Sequence, residues 1–114
     1  MTLGEKQRAF TLCVGKLIEF AYSQGYELTL GDAYRDPRLA ALNAQQGIGI
    51  AKSLHCYRLA IDFNLFKDGV FLPDSVAHTP IGVYWKTLHP LARWGGDFKK
   101  PDGGHYSFEH EGRK

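Results

Sequence analysis

The sequence predicts an α+β fold, in which helices pack on one face of a small antiparallel sheet. Three patterns in the 114-residue chain favour this class. The chain opens with a long amphipathic helical pattern, a strand–turn–strand pattern lies in its middle, and alternating strand patterns occur before and after that hairpin. A chain of this length has room for one core, so we expect residues 1–114 to form a single domain.

The first helix is marked at both ends. Thr2 and Glu5 have the spacing of a capping box, in which each side chain accepts a hydrogen bond from the other residue's free backbone N–H. Gly25 supplies the left-handed residue that ends many helices. Between them, apolar residues recur at intervals of three and four, namely Phe10, Cys13, Val14, Leu17, Ile18 and Ala21.

A strand and a short helix follow. Residues 26–30 alternate polar and apolar side chains, as a half-buried strand does. Asp36 and Pro37 then predict an N-cap followed by proline at the first helical position, and this helix should end before Gly47. Residues 47–50 predict a flexible connection.

The strongest strand pattern covers residues 59–66. Asp68-Gly69 favours the positive φ of a hairpin turn, and residues 70–72 return as the partner strand, which Pro73 ends. Asp62 therefore lies within an otherwise apolar hairpin. Burial of a carboxylate there is costly unless the carboxylate is paired with a cation or binds a metal.

A third helix and a last strand complete the pattern. Thr79 and Pro80 repeat the cap-plus-proline signal and predict a helix that carries Val83, Trp85, Leu88, Leu91 and Ala92. Pro90 is expected either to kink this helix or to begin a new turn. Residues 105–110 predict an alternating strand, followed by a charged tail.

The charge balance disfavours two classes of partner. The chain has 14 basic and 12 acidic residues and a net charge of +2, so we expect no binding to nucleic acid or to an anionic membrane. No apolar run reaches the roughly 18 residues of a membrane span. The first eight residues lack the apolar block of a secretory signal, so we expect the protein to be made in the cytoplasm without a signal peptide. We also expect a monomer.

Two clusters of polar residues are candidates for a metal site. His55, which we expect to begin a strand after a glycine-rich loop, and Asp62 are seven positions apart. Asp102 and His105 lie three apart in a second glycine-rich segment. Two imidazoles and one carboxylate can hold Zn²⁺ and leave a fourth position open to water. In a regular strand a separation of seven puts side chains on opposite faces, so a shared site requires the backbone to turn between His55 and Asp62.

Each candidate also has an ordinary structural interpretation. His55 alone is compatible with a surface or hydrogen-bonded residue, Asp62 with a carboxylate held by backbone N–H groups, and Asp102 with a local turn. His110 lies on the same predicted strand as His105 and is its rival as a ligand, because residues five apart are on opposite faces and only one of the two can face the site. Glu109 replaces Asp102 as the candidate base if the register of this strand differs.

The remaining histidines and the two cysteines have weaker claims to a site. His78 and His89 have no carboxylate at ligand spacing, and we expect both to be structural. Cys13 falls on the apolar side of the first helix, whereas Cys56 is an alternative zinc ligand, although neighbouring side chains usually point apart. We expect no disulfide in a reducing compartment.

Arg35 follows the first strand. It can pair with Asp32 or Asp36, or it can bind a substrate carboxylate or a developing oxyanion. We expect Arg58, between the two ligand candidates, to face solvent.

These residues resemble the motifs of a known family. The pattern S-x-H-x6-D covers residues 53–62, with alanine at position 60, and D-x-x-H-aromatic covers residues 102–106. They are similar to the SxHxxGxAxD and [D/E]xxH[W/F/Y] motifs of the zinc D-Ala-D-Ala carboxypeptidases and phage L-alanyl-D-glutamate endopeptidases, a VanX- and VanY-like family. The one departure is Arg58, which stands at the family's glycine.

The resemblance implies a set of roles. It makes His55, Asp62 and His105 the ligands of Zn²⁺ and Asp102 the general base, and it assigns substrate contacts to Arg35 and Ser53. It also implies a hedgehog/D,D-peptidase-like fold and, as substrate, a peptidoglycan stem peptide cut at a bond that involves a D-residue.

The expected biological context follows from the same resemblance. The chain is expected to be a lysis enzyme of a phage or prophage that reaches the cell wall after release, or a virion-associated enzyme. The alternative is a catalytically silent peptidoglycan-binding or virion structural module on the same fold.

Overall fold

The computed structural model describes residues 1–47 and 53–114. The helices of this part of the chain are α1 (Leu3–Ser23), α2 (Pro37–Gln45) and α3 (Thr79–Thr87), and its strands are β1 (Tyr26–Leu30), β2 (Ala60–Lys67), β3 (Val70–Leu72), β4 (Ala92–Trp94) and β5 (His105–Phe108). Of the connection predicted at residues 47–50, residues 48–50 lie outside the described residues.

Helix α1 begins and ends where its sequence signals predict. Thr2 is the N-cap, and both hydrogen bonds of its capping box with Glu5 are present. Gly25 follows the last turn with a φ of 84°, a conformation that suits glycine. Helix α2 likewise begins after an Asp36 cap, whose carboxylate accepts a hydrogen bond from the backbone N–H of Arg38.

The sheet is antiparallel throughout and has β2 at its centre. The strand order is β1-β2-β5-β4, and β3 also pairs with β2. The first half of β2 pairs with β5, in a register that sets Asp62 opposite His105. Its second half forms the predicted hairpin with β3 across Asp68-Gly69.

Helices α1 and α3 pack on one face of this sheet. Phe10 of α1 makes edge-to-face contacts with Trp85 of α3 at 5.6 Å and with Phe108 of β5 at 5.3 Å between ring centroids. Trp85 is fully buried, and its indole N–H donates to the carbonyl oxygen of Arg93 at 2.9 Å. The predicted α+β class, with helices on one face, is confirmed.

The third helix differs from its prediction at both ends. Thr79 is the first helical residue and not the cap, because a 3₁₀ turn over Ser75–His78 runs directly into the helix. The helix ends at Thr87 and does not continue to Ala92. Pro90 has no N–H to donate, and the chain instead turns so that Ala92 begins β4 and pairs with Phe108.

The final strand is shorter than predicted and is buried on both faces. Strand β5 ends at Phe108, and all four of its residues are buried. Tyr106 and Phe108 contact the helices, whereas His105 points to the other side of the sheet, where the candidate site lies. No helix in the described part of the chain is long and apolar enough to cross a membrane.

Candidate functional site

Two histidines and one aspartate meet on the sheet face opposite α1 and α3. One donor atom from each of His55, Asp62 and His105 lies within 4.8 Å of the others, close enough to bind one metal ion. Asp62 Oδ2 is 3.4 Å from His55 Nε2, and Asp62 Oδ1 is 3.3 Å from His105 Nδ1. The cross-strand register of β2 and β5 brings Asp62 and His105 together, and His55 approaches from outside the sheet.

His55 reaches the cluster because the chain does not form a strand there. It lies in a 3₁₀ turn over Leu54–Tyr57, and the Ser53 hydroxyl accepts a hydrogen bond from the His55 backbone N–H at 3.2 Å. Arg58 then adopts the left-handed conformation, with φ 56° and ψ 36°, before β2 begins at Ala60. The expected strand at His55 is therefore wrong, whereas the expected break in regularity between His55 and Asp62 is present.

A backbone carbonyl fixes the orientation of the His55 ring. His55 Nδ1 lies 3.0 Å from the oxygen of Ala33. A carbonyl can only accept, so Nδ1 carries the proton and, in the neutral ring, Nε2 turns a lone pair toward the Asp62 carboxylate. Lone pairs of nitrogen and oxygen at 3.4 Å repel each other unless a cation or a proton lies between them. Histidine ligands of metals commonly have this second hydrogen bond.

Two atoms of the cluster have no hydrogen-bond partner. Asp62 Oδ1 and His105 Nε2 are both buried and unpaired within the described ranges 1–47 and 53–114. Such atoms destabilise a fold by about 1–3 kcal/mol each when they are left unsatisfied. Two imidazoles and one carboxylate with free coordinating atoms are a donor set that Zn²⁺ accepts, so these residues fit a zinc ion.

The three side chains also shift one another's protonation. Burial raises the pKa of Asp62, but the contacts with His105 and His55 outweigh it and hold the pKa well below its usual range. Burial lowers the pKa of His55, but the contact with Asp62 and the Ala33 carbonyl outweigh it, so this pKa lies above its ordinary value. The cluster thus favours a carboxylate anion that is neutralised by positive charge.

A cavity of about 700 Å³ opens onto the cluster. All of the residues that the sequence assigns to a site line it: Arg35, Ser53, His55, Asp62, Asp102 and His105.

Asp102 lies on a loop whose backbone is fixed at several points. Its N–H donates to the oxygen of Gly95 at 2.9 Å, and its own oxygen accepts from the N–H of His105 at 3.0 Å. The next residue, Gly103, donates to the Ser75 hydroxyl at 2.9 Å and accepts from the Trp94 indole at 2.8 Å. The carboxylate is exposed at the cavity, while the peptide that carries it is held in place.

Arg35 forms one of the two ion pairs considered for it and also lines the cavity. Its Nη2 lies 2.9 Å from Asp32 Oδ2, and its side chain is only 18% exposed. Its backbone N–H donates to the oxygen of His55 at 3.2 Å, which ties the segment after β1 to the 3₁₀ turn. Asp32 thus orients the guanidinium beside the cluster.

Comparison with known proteins identifies the family. A family model described as D-alanyl-D-alanine carboxypeptidase matches residues 47–108, more than half of the chain. The chain belongs to this family.

The fold is also found in a solved structure. The crystal structure of the Serratia marcescens L-Ala D-Glu endopeptidase ChiX is similar to this carboxypeptidase-family chain, with a TM-score of 0.70, 18% sequence identity, and coverage of 93% of this chain and 85% of the ChiX chain. At this level of identity the likeness is one of fold. No curated protein matches the sequence.

The departure from the family motif at Arg58 has a structural explanation. Position 58 requires a positive φ, which glycine adopts without strain and other residues adopt at a cost. In this family member Arg58 accepts the strained conformation, and its guanidinium lies 4.2 Å from the centre of the Tyr34 ring. Arg58 is exposed, as expected.

The residues considered as alternative metal ligands or as an alternative base have other partners. His110 Nδ1 lies 3.1 Å from Lys6 Nζ, and Glu109 pairs with Arg93 at 3.2 Å, so neither joins the cluster. His89 stacks on Phe108, and buried His78 lies 2.9 Å from the Tyr106 hydroxyl. Cys13 and Cys56 are free thiols, and Cys56 is not part of the cluster.

Two residues that support the site through backbone contacts, Ala33 and Gly95, were not predicted from the sequence. The Ala33 carbonyl left no signal, because any residue supplies one. Gly95 did leave a signal, as part of a glycine pair after Trp94, but its role was not predicted. A Cβ atom there would lie 2.0 Å from the Asp102 oxygen, so only glycine lets the two segments approach.

Proposed function

We propose that the chain is a zinc-dependent peptidase that hydrolyses peptidoglycan stem peptides. The observation that carries this proposal is the convergence of His55, Asp62 and His105 within 4.8 Å, beside a cavity that Asp102 and Arg35 also line. The three clustered residues would bind Zn²⁺, Asp102 would be the general base, and Arg35 and Ser53 would contact the substrate.

The proposed reaction is the addition of water to a peptide carbonyl. A zinc ion held by His55, Asp62 and His105 would lower the pKa of a bound water to near 7 and would polarise a carbonyl oxygen. Asp102 removes a proton from the attacking water, and the Arg35 guanidinium donates hydrogen bonds to the developing oxyanion. When the C–N bond breaks, Asp102 returns the proton to the leaving amine. In this cycle Asp32 orients the Arg35 guanidinium, and the hydrogen-bonded loop orients the Asp102 carboxylate.

The substrate class is supported by the family and by the solved relative. The family is described as D-alanyl-D-alanine carboxypeptidase, and ChiX is named as an L-Ala D-Glu endopeptidase. Both bonds occur in peptidoglycan stem peptides. Mass spectrometry of fragments released from purified sacculi identifies the bond that is cut, and release of no fragment would contradict the proposal.

The base is tested by substitution of Asp102. Asp102→Asn keeps the size of the side chain but cannot accept the proton, so kcat should fall by about 10²–10⁴-fold while zinc content stays at one equivalent. The matched control is Asp97→Asn, because Asp97 is a nearby exposed aspartate that pairs with Lys86. Cleavage by Asp102→Asn at the wild-type rate would exclude Asp102 as the base. A wild-type protein that binds sacculi without cutting them would instead indicate a silent wall-binding module.

The ligands are tested by metal content. His55→Ala, Asp62→Ala and His105→Ala should each lose most of the zinc that the purified wild-type protein carries, measured by elemental mass spectrometry. His110→Ala should keep it, since His110 contacts Lys6 and not the cluster. A full equivalent of zinc in any of the three ligand variants would remove that residue from the set.

We further propose a role in lysis of the host cell by a phage or prophage. Added from outside, the protein should lyse bacteria only after their membranes are permeabilised, and Asp102→Asn should fail in both conditions. Lysis by Asp102→Asn would contradict an enzymatic origin of this effect.

A further inference from the structure

The cavity beside the candidate metal site has a positively charged rim that the proposed reaction does not use. Besides Arg35, three cations line it: Lys100, Arg113 and Lys114. The acidic residues of the lining are Asp62 and Asp102, which are assigned to the metal and to proton transfer. Arg35 is already paired with Asp32. The other three cations have no carboxylate within salt-bridge distance among the described residues.

Arg113 differs from the two lysines because part of its charge is shielded from water. Both lysines are exposed, whereas Arg113 is half-buried, and its Nη1 is inaccessible and unpaired within residues 1–47 and 53–114. Residues 48–52 contain no aspartate or glutamate that could supply an anion. A guanidinium that is partly shielded from water and has no anionic partner is costly, and because Arg113 lines the cavity, an anionic ligand bound there can offset that cost.

The backbone around Arg113 is held in a defined turn. The N–H and carbonyl groups of His110 and Arg113 pair with each other at 3.0 Å in both directions. Glu111 and Gly112 between them have φ values of 50° and 77°, which is how the chain reverses so tightly. The Glu111 carboxylate lies 3.7 Å from His110 Nε2, so the acid nearest in sequence pairs with His110.

We propose that Arg113 binds a free carboxylate of the substrate peptide close to the scissile bond. This inference rests on the proposed peptidase function and adds a specificity-determining residue to it. A guanidinium offers two parallel N–H groups that match the two oxygens of a carboxylate, and Lys100 and Lys114 add long-range attraction. Arg113 lies outside residues 47–108, the segment that matches the family model, so the family match assigns it no role.

A carboxylate near the cut can come from two sources, which three synthetic peptides distinguish. The first is the pentapeptide L-Ala-D-Glu-L-Lys-D-Ala-D-Ala, the second carries an amide in place of the glutamate carboxylate, and the third carries an amide at the C-terminus. The wild-type zinc enzyme should cleave the first peptide with the highest kcat/KM. The amide that blocks the recognised carboxylate should lower kcat/KM by about 10–100-fold, the loss expected for one charge-assisted hydrogen bond.

The variant that tests the contact is Arg113→Gln. It should lower kcat/KM for the free pentapeptide by a similar factor, mainly through KM, and should have little further effect on the peptide whose recognised carboxylate is amidated. Arg113→Lys keeps the positive charge but lacks the paired N–H groups of the guanidinium. It should lower kcat/KM less than Arg113→Gln does, with the same preference among the three peptides. Arg38→Gln is the control, since the side chain of Arg38 is 92% exposed and pairs with Asp36.

Equal losses on all three peptides, or no loss on any of them, would overturn the proposal, since a purely structural role cannot distinguish an amide from a carboxylate. A readout without turnover separates this failure from failure of the peptidase function. The zinc-loaded Asp102→Asn protein should bind the free pentapeptide in calorimetry, and adding Arg113→Gln should weaken that binding about 10-fold or more. If the wild type cleaves no peptide, this measurement still decides the role of Arg113.

Discussion

Arg58 determines the path of the chain between His55 and Asp62. It adopts a left-handed conformation that costs a residue with a Cβ atom about 1–2 kcal/mol relative to glycine. The contact of its guanidinium with the Tyr34 ring, 4.2 Å from the ring centre, offsets part of that cost, because a cation over an aromatic face contributes roughly 0.5–1 kcal/mol at exposed sites. The 3₁₀ turn is therefore kept without the family's glycine.

Substitution at Arg58 should separate these two contributions. Arg58→Gly and Arg58→Ala both lose the contact with Tyr34, but only alanine keeps the unfavourable φ. Arg58→Gly should therefore have a free energy of unfolding about 1 kcal/mol higher than Arg58→Ala, measured by urea denaturation. Equal stability of the two variants would show that the strain at position 58 is negligible.

The family motifs in the sequence predicted that His55, Asp62 and His105 form the site, whereas residue types and spacing alone left His110 open as a rival of His105. A carboxylate in an apolar hairpin is costly without a partner, and that cost is visible in the sequence for Asp62. The contacts of the backbone were not predictable in this way. The Ala33 carbonyl and the hydrogen-bonded backbone of Asp102 act through groups that every residue has, and only the folded chain decides where they lie.

The elements behind the site act through close contact of backbones. The 3₁₀ turn Gly95–Asp97 lies against the Asp102 loop, and Gly95 is buried where the two segments touch. Strand β4 just before it was not predicted, because a three-residue strand has too few side chains for a pattern of period two to be recognised, and its pairing with β5 is a long-range contact.

Gly95→Ala tests whether this contact positions the proposed base. The added methyl group would lie 2.0 Å from the Asp102 oxygen, so the loop must move. We expect a loss of stability of roughly 1–3 kcal/mol and a fall in kcat/KM of about 100-fold, the usual effect of displacing a catalytic group by about 1 Å. Denaturant titration measures the loss of stability, and peptide cleavage assays measure the fall in kcat/KM.

Gly15→Ala is the matched control for that substitution. Gly15 lies in the middle of α1, and a Cβ atom there meets no atom of the described residues within 4 Å. This variant should be more stable than the wild type by about 0.5–1 kcal/mol and equally active, because alanine favours helix without a clash. An equally active Gly95→Ala protein would show that the Asp102 loop tolerates movement.

At the scale of the whole molecule, we propose that residues 1–114 form one domain. The core cluster runs from Phe10 of α1 to Phe108 of β5, so both ends of the chain contribute to the same interior. The charged tail reaches the cavity of the candidate site, because Arg113 lines this cavity. One core predicts one cooperative unfolding transition for the whole chain.

That transition should depend on pH through His78. Burial lowers the pKa of His78, partly opposed by Asp102, so the folded protein binds this proton less readily than the unfolded chain, whose histidine pKa is about 6.5. The unfolded state therefore takes up more protons below that pH, and His78 makes stability fall as the pH is lowered.

His78→Gln should flatten this dependence. Glutamine can bond the Tyr106 hydroxyl, which lies 2.9 Å from His78 Nδ1, but it does not titrate. The difference in urea midpoint between wild type and variant should shift in favour of the variant from about pH 7 to about pH 5, as expected for loss of a buried neutral histidine. A constant difference across that range would mean that His78 does not contribute. Comparing the two proteins cancels the opposite effect of the raised His55 pKa.

The pairing of Asp62 with His105 across β2 and β5 gives the chain an unequal tolerance to change in length. The two positions are neighbours in the sheet, so residues 63–104 form an excursion that leaves one strand and returns to the next. Lengthening a turn between these two strands, such as Asp68-Gly69, does not change which face of the sheet each side chain of β5 occupies. Adding one residue inside the β2–β5 ladder exchanges odd and even positions, turns His105 toward the helices and brings Tyr106 to the cavity. The site thus constrains strand parity and leaves the length of the intervening chain open to change.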